Sequence, residues 1–194
     1  MSDPSLPADY FDKLYAGDPD PWRFRSSDYE REKYARTVAA LDGRRFERAV
    51  EVGCSIGELT ARLAPLCDDL LGVDIAQAAL DAAVERNRET PQVRFQRLAL
   101  PGEQPDGVFD LIVLSEVLYY FGAQDLKRVA AWVETALAPD GVVLAVHWLG
   151  ETPDYPHTGD EAVEAFIRAL QPALTTDRQS RQAQYRLDRL VRRG

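Results

Sequence analysis

The chain has 194 residues, enough for one domain with a substantial core, and 32 acidic against 23 basic side chains give a formal net charge of −9. That balance argues against general nucleic-acid affinity. No apolar run approaches the ~20 residues of a membrane-spanning helix, and no Cys/His spacing suits zinc, so no nucleic acid, membrane or metal is expected.

In chain order, residues 8–15 read as a short helix, followed by an acidic, proline-rich turn at Gly17-Asp-Pro-Asp-Pro21. Asp28–Leu41 carries Tyr29, Tyr34, Val38 and Leu41 at helical spacing, with Ser26, Ser27 and Asp28 as N-cap candidates. A first strand is predicted over Arg48–Val52, a helix over Gly57–Leu66, a second strand over Asp69–Asp74, a helix over Gln77–Asn87 and a short strand over Val93–Arg97. Phe109–Ser115 is a continuous apolar run of the central-strand kind. A helix over Gln124–Leu137, a turn at Pro139-Asp-Gly141 and a strand over Val142–Trp148 follow. Then come a polar loop, a helix over Asp160–Leu170 and a hairpin of Leu174–Arg181 with Gln184–Arg192. Strands alternating with helices predict a doubly wound, Rossmann-like α/β sheet, mostly parallel, with an antiparallel C-terminal hairpin. The expected organisation is a 1–34 N-terminal lid and a 35–194 binding domain in one fold.

The hairpin region 177–194 holds six arginines against two aspartates; a solvated face is the simpler expectation, a partner or acidic-substrate patch the other. Cys54 and Cys67 fit a reducing compartment. Met-Ser-Asp-Pro-Ser-Leu-Pro has neither the basic nor the apolar region of a signal peptide. A cytoplasmic location is therefore expected. Oligomeric state is not legible.

The most informative stretch is Ala49-Val-Glu51-Val-Gly53-Cys54-Ser55-Ile-Gly57, followed by Leu70-Leu-Gly-Val-Asp74-Ile75. An apolar run ends in an acid and a glycine turn, and a second run, one helix later, ends in another acid. That is a strand–turn–helix–strand unit built to hold a nucleoside. Gly53 and Gly57 allow close approach of backbone to ligand. Asp74 stands where a carboxylate accepts ribose hydroxyls. A dinucleotide site would prefer a third glycine, and Glu51 would repel a pyrophosphate. The string Gly53-Cys-Ser55-Ile-Gly57 also matches a hydrolase nucleophile elbow, but little strand pattern precedes it. A bare glycine turn without ligand is the remaining reading.

The pattern E-x-G-x-x-x-G with an acid ending the next strand resembles class I S-adenosylmethionine (SAM) methyltransferases. So do Phe109–Tyr120 and the turn Leu137-Ala-Pro-Asp-Gly-Val-Val-Leu144. Three further segments resemble the nodulation protein S family of SAM-dependent N-methyltransferases. They are Asp18-Pro-Asp-Pro-Trp22-Arg-Phe with Tyr29-Glu-Arg-Glu-Lys33-Tyr, then Ser115-Glu-Val-Leu-Tyr-Tyr120, then His147-Trp148 with Asp154-Tyr-Pro-His-Thr-Gly-Asp-Glu161. The resemblance implies SAM as cofactor and S-adenosylhomocysteine as product. It further implies methylation of a primary amine on a small-molecule or amino-sugar/oligosaccharide acceptor, such as a deacetylated amino sugar.

On that resemblance the cofactor set is Glu51, Gly53, Cys54, Ser55, Gly57, Asp74, Ile75, Leu98, Ala99, Leu100 and Ser115, with Trp22 and Arg31 from the lid. Arg31 reaches the cofactor carboxylate on one reading and pairs with Glu30 or Glu32 on the simpler one. Many SAM enzymes carry an acid for the adenine amino group where Ala99 stands, so weaker cofactor affinity is expected. Catalytic candidates are His147 as base, Glu116 to hold the acceptor ammonium, and Tyr119 and Tyr120. Trp148, Asp154 and Tyr155 are the acceptor-binding candidates, with ordinary packing or turn roles as the simpler account of each. An O-methyltransferase of a small hydroxyl acceptor and a non-catalytic SAM-binding regulatory module are the alternatives.

Overall fold

The structure, a computed structural model, describes residues 4–171 and 173–193. Met1, Ser2 and Asp3, at the head of the expected 1–34 segment, lie outside the described residues. The chain divides into two compact units, Pro7–Ala99, and Leu100 onward together with the segment ending at Leu6.

The first unit contains α1 (Ala8–Gly17), α2 (Asp28–Ala39), β1 (Phe46–Val52), α3 (Glu58–Leu63), β2 (Cys67–Asp74), α4 (Gln77–Arg86) and β3 (Val93–Arg97). Its strands run parallel in the order β3-β2-β1. Val50 and Val52 of β1 and Leu70, Leu71 and Val73 of β2 are all buried, the two-sided burial that an apolar, β-branched run supplies to a parallel sheet. The α2 helix starts where the sequence places it, with Ser27 Oγ accepting from Glu30 N at 3.3 Å. The helix expected over 57–66 is shorter. It stops at Leu63 and tightens into a 3-10 turn over Ala64–Leu66, because Pro65 has no N–H to give an α-helical bond. Glu58, at the head of α3, is buried and tied to Arg62 at 3.1 Å and to Arg86 of α4 at 2.8 Å.

The second unit contains β4 (Phe109–Ser115), a 3-10 turn (Leu118–Tyr120), α5 (Ala123–Ala136), β5 (Leu137–Trp148), α6 (Gly159–Leu170), β6 (Leu174–Arg181) and β7 (Tyr185–Arg192). Its strand order is β4-β5-β7-β6; β4 and β5 are parallel, and β7 is antiparallel to both of its neighbours. The turn predicted at Pro139-Asp-Gly141 is not a turn. Strand β5 begins at Leu137 and carries those residues through a register slip opposite Phe109 and Leu111. Gly141 permits this, since a Cβ there would lie 2.6 Å from Leu137 Cδ1. Helix α6 opens on a capping box between Thr158 and Glu161. The seven described strands are mostly parallel and antiparallel only at the C-terminal hairpin, so the α/β class matches the expectation from periodicity.

The basic C-terminal stretch is a partly solvated face, exposed at Arg181 and Arg193, and charges within it are paired. Arg181 pairs with Asp160 at 2.6 Å, Arg186 with Asp188 at 2.8 Å, and Arg189 with Asp177 at 2.7 Å. Arg192 donates to the carbonyls of Glu134, Leu137 and Ala138 at the end of α5. Arg186 is only 5% exposed. Its charge is therefore matched locally rather than presented to a partner.

Candidate functional site

In the first unit the β1–β2 register sets Val52 beside Val73 and Glu51 beside Gly72. The glycine turn consequently leaves β1 next to the end of β2, where Asp74 stands. The turn is pinned by Gly53 N and Cys54 N, which donate to Val73 O at 2.9 and 3.1 Å. Gly53 and Gly57 have φ of 77° and 76°, which a side chain would strain. Gly57 has a second reason to be glycine. A Cβ there would meet Asn87 Nδ2 at 2.6 Å, and that amide donates to Gly57 O and Ala83 O. Ser55 adopts φ +48° without being glycine, a strained conformation of the sort held at binding sites.

Asp74 is the hub of this loop. Its Oδ2 accepts from Ser55 N at 2.8 Å and its Oδ1 from Ala76 N at 3.0 Å. Burial raises its pKa, against the backbone donors that pull it down. The Ile75 amide also acts on this carboxylate, and with about four lone-pair positions on a carboxylate these backbone donors leave room for a further one. Ile75 follows it, and its carbonyl receives Arg97 Nε at 2.9 Å. Glu51 is 1% exposed, and Thr60 Oγ1 of α3 donates to its Oε2 at 2.5 Å. Burial pushes the Glu51 carboxyl up to about 8, with Asp74 adding to the rise and Thr60 opposing it. Near neutral pH this acid holds its proton. Leu98 N is held by Asp74 O at 3.0 Å, and Leu98 and Ala99 are partly exposed beyond β3.

Two residues that the sequence reading missed sit against this loop. Tyr15 of α1 is 6% exposed and its hydroxyl bonds Ser55 Oγ; burial, with Asp74 beside it, raises its pKa. Thr60 is the other. Tyr15 meets the Trp22 ring edge-on at 5.8 Å, and Trp22 stacks on Phe24 at 5.5 Å. The acidic turn beneath them is built by its aspartates: Asp18 accepts from Asp20 N, and Asp20 from Phe24 N and Arg25 N. Arg31 is 59% exposed and pairs with Asp28, rather than with Glu30 or Glu32. The buried cation of α2 is Lys33, 2.9 Å from Glu30 and 5.2 Å from the Tyr29 ring centroid. A helical reading of α2 that weighed which face carries Tyr34 would have found Lys33 on the inner side.

In the second unit the candidates gather where β4 and β5 end. Ser115 is buried, and Leu100 is partly exposed. Glu116 stands at φ +54°, again strained without being glycine. Its Oε2 accepts from Tyr119 OH and from Trp148 N, both at 2.8 Å. His147 is fully buried, and its Nε2 accepts from Val117 N at 3.3 Å and Leu118 N at 3.0 Å. Accepting through Nε2 places the ring proton on Nδ1. The lone pair expected to act as base is thus already engaged by backbone. Burial of Tyr119 and Tyr120, with Glu116 and Tyr155 nearby, drives both phenols well above their ordinary range.

The aromatic candidates do converge, but on one another. Tyr119 stacks on Tyr155 at 5.4 Å, and Tyr120 meets Tyr119 at 4.6 Å and Tyr155 at 4.8 Å, edge-on in both cases. Tyr119 also meets His147 edge-on at 5.6 Å. Trp148 is held by two glycines: side chains at Gly150 and Gly159 would collide with its indole and its carbonyl. Asp154 is exposed, and no structural contact brings it to this cluster. Among the described residues no group of three His, Cys, Asp or Glu side chains is arranged for a metal ion, and no helix is long and apolar enough to cross a membrane.

The sequence profile of one family, Nodulation protein S (NodS), matches residues 9–146. Nodulation protein S of Rhizobium tropici is 32% identical over 124 residues, 63% of this chain and 52% of that protein. The chain thus spans about half the length of that curated relative. Among solved structures, N-methyltransferase NodS from Bradyrhizobium japonicum WM9, in complex with S-adenosyl-L-homocysteine, superposes with a TM-score of 0.81 at 24% identity, over 96% of this chain and 98% of that one. A methyltransferase fold from Pseudomonas syringae is 36% identical with a TM-score of 0.69, over 85% and 99%. The doubly wound fold is thereby that of the class I methyltransferases.

Proposed function

The chain belongs to the nodulation protein S family, and from that membership and the site chemistry we propose that it transfers a methyl group from SAM to a primary amine, such as that of a deacetylated amino sugar. The observation that carries the reading is the Gly53–Gly57 turn flanked by Glu51 and Asp74. In this proposal Asp74 accepts from the ribose hydroxyls with the acceptor capacity its backbone partners leave over. Glu51 receives the methionine part, and the glycine turn lines it by close backbone approach rather than with its amides, since Gly53 N, Cys54 N, Ser55 N and Gly57 N all donate within the protein. Glu51 gives up its proton as the cationic cofactor arrives, which converts a neutral acid into a counter-charge. Leu98 and Ala99 border the adenine by packing. Tyr15 and Trp22 cover the loop in the lid role expected of the 1–34 segment. Arg31, exposed and paired with Asp28, is left out of this assignment.

The chemistry is an in-line displacement. The amine lone pair forms a bond to the methyl carbon, the carbon–sulfur bond breaks, and its electron pair returns to sulfur to leave S-adenosylhomocysteine. Alignment supplies most of the rate, but an ammonium acceptor must first lose a proton. Glu116 is the group assigned to hold the ammonium and take that proton, with Tyr119 and Trp148 N fixing its carboxylate. His147 is assigned to positioning, since its accepting nitrogen holds the backbone of Val117 and Leu118. Trp148 and Tyr155 are assigned to the acceptor's apolar face, and Asp154, exposed in the loop, to its polar rim.

The test is turnover. The purified chain, SAM and a panel of primary amines that includes glucosamine and deacetylated chitooligosaccharides are assayed for S-adenosylhomocysteine. Release that depends on a free amine, and that Glu116→Gln lowers more than cofactor affinity, supports the reading. Release with hydroxyl acceptors alone points to O-methylation. Cofactor binding with no release across the panel points to a regulatory module.

A further inference from the structure

The 3-10 turn Leu118–Tyr120 carries Tyr119, which fixes the Glu116 carboxylate, and Tyr120, which packs against Tyr155, and it leads directly into α5. On one side it is held by β5, through His147 and, via Glu116, Trp148. The other side is held by a segment more than a hundred residues away in sequence. Leu6 N donates to Tyr120 O at 2.9 Å. Ser5 Oγ accepts from Gly122 N at 2.9 Å and donates to Asp125 Oδ2 at 2.6 Å.

The arrangement answers a defect in α5. Its N-cap is Gly122, which has no side chain to satisfy the first backbone donors. In a usual capping box the acid three residues on reaches back to the N-cap amide. Here Asp125 occupies that third position, and the Ser5 hydroxyl is inserted between it and the Gly122 amide. The hydroxyl passes the bond on, donating to the acid and accepting from the amide. The cap is therefore supplied by the N-terminal segment and not by the helix itself. Glycine at the cap also leaves the backbone of 121–122 loose unless something outside holds it.

We propose that Ser5 and Leu6 are positioning residues for the acceptor reaction, fixing the turn that presents Tyr119 and Tyr120. This rests on the reading that Glu116 and Tyr155, which those tyrosines touch, serve the acceptor. The two strands of the idea separate experimentally, since the cap is read without any acceptor. Loss of Ser5 should leave the cofactor loop untouched, because none of its bonds involve residues of that loop.

The experiment uses the full chain, Ser5→Ala, and Ser5→Thr as the conservative rescue. Amide exchange at Gly122, followed by NMR, should quicken about five- to tenfold in Ser5→Ala, the scale of one lost helix cap, and return towards the parent value in Ser5→Thr. The ring resonances of Tyr119 and Tyr120 should shift or broaden with it. With deacetylated chitotetraose as the probe acceptor, KM should rise or kcat fall about tenfold, while S-adenosylhomocysteine affinity stays within about twofold, the pattern of a lost orienting contact. Unchanged Gly122 exchange overturns the cap. Faster exchange with unmoved tyrosine resonances, or with unchanged KM and kcat, overturns the positioning role. If the parent chain turns over no chitotetraose, the amino-sugar reading fails, and the tyrosine resonances alone decide for or against the positioning of the turn.

Discussion

The glycine turn of the first unit and the tyrosine turn of the second both follow the end of a parallel strand, and each has a non-glycine residue held at positive φ, Ser55 at 48° within the first and Glu116 at 54° leading into the second. They are held by opposite means. The glycine turn is fixed from nearby: strand register sets Gly53 against Val73, and Asp74 gathers the amides of Ser55 and Ala76. The tyrosine turn is fixed from afar, by His147, Trp148, Leu6 and Ser5. A loop whose amides are tied to the neighbouring strand end and to one carboxylate keeps its own shape without help from distant elements. A turn whose bonds are made by distant side chains is shaped to hold its own aromatic rings in one place.

The contrast predicts that damage to one turn spares the other. The largest effect is expected for Asp74→Asn, which removes the charge that backbone amides and, in the proposal, the ribose share. S-adenosylhomocysteine affinity should fall about a hundredfold or more, from charge-assisted bonds of about 1.5–3 kcal/mol each. Glu116→Gln should change it by less than about twofold in the same calorimetric assay. Equal losses in both variants would erase the distinction.

Next comes His147→Ala. It strips the acceptor from two backbone amides of the tyrosine turn, and an unsatisfied buried donor costs about 1–3 kcal/mol. Denaturant unfolding should show a loss of that size. Turnover should fall, and cofactor affinity should hold. A stable His147→Ala protein with a flattened acidic limb in its pH–rate profile would instead return His147 to the role of base.

The pH dependence sharpens the cofactor side. Glu51 lies near 8 in the folded chain against 4.5 ordinarily, so between those values the folded state binds a proton that the unfolded chain has released. Its contribution to stability is therefore lost progressively as pH rises from about 4.5 to about 8. Cofactor affinity should move the other way and climb towards pH 8, because the carboxylate form is the one that meets a cation. Glu51→Gln should flatten both slopes; slopes unchanged in that variant would locate the proton elsewhere. The smallest effect belongs to Ala99→Asp. It should tighten S-adenosylhomocysteine binding by roughly three- to tenfold, the worth of one hydrogen bond to a charged group. No gain would mean that the adenine amino group does not pass there.

The same contrast explains what could be read from the sequence. The α/β order, most strand limits and the Glu51–Gly57–Asp74 unit were legible, because periodicity and a glycine turn report local geometry. What failed was long-range. The Pro139–Gly141 turn was overridden by the pairing of β4 with β5 and by the space Gly141 leaves for Leu137. The arginines of the hairpin are partly solvated, as expected, but the burial of Arg186 and its pairing with Asp160 and Asp188 come from packing that the sequence does not announce. His147 was read from its intrinsic pKa, and nothing local announced that Val117 and Leu118 would claim its nitrogen. Tyr15 and Ser5 were invisible for the same reason: their partners, Ser55 and Asp125, are 40 and 120 residues away.

The most direct measurement is a calorimetric titration of the full chain with S-adenosyl-L-homocysteine, with NAD as the parallel ligand. One site per chain for S-adenosylhomocysteine, none for NAD, and loss of that site in Asp74→Asn are predicted. Binding of NAD, or binding of S-adenosylhomocysteine that Asp74→Asn leaves intact, would contradict the assignment of the Gly53–Gly57 turn and Asp74 to the methyl donor.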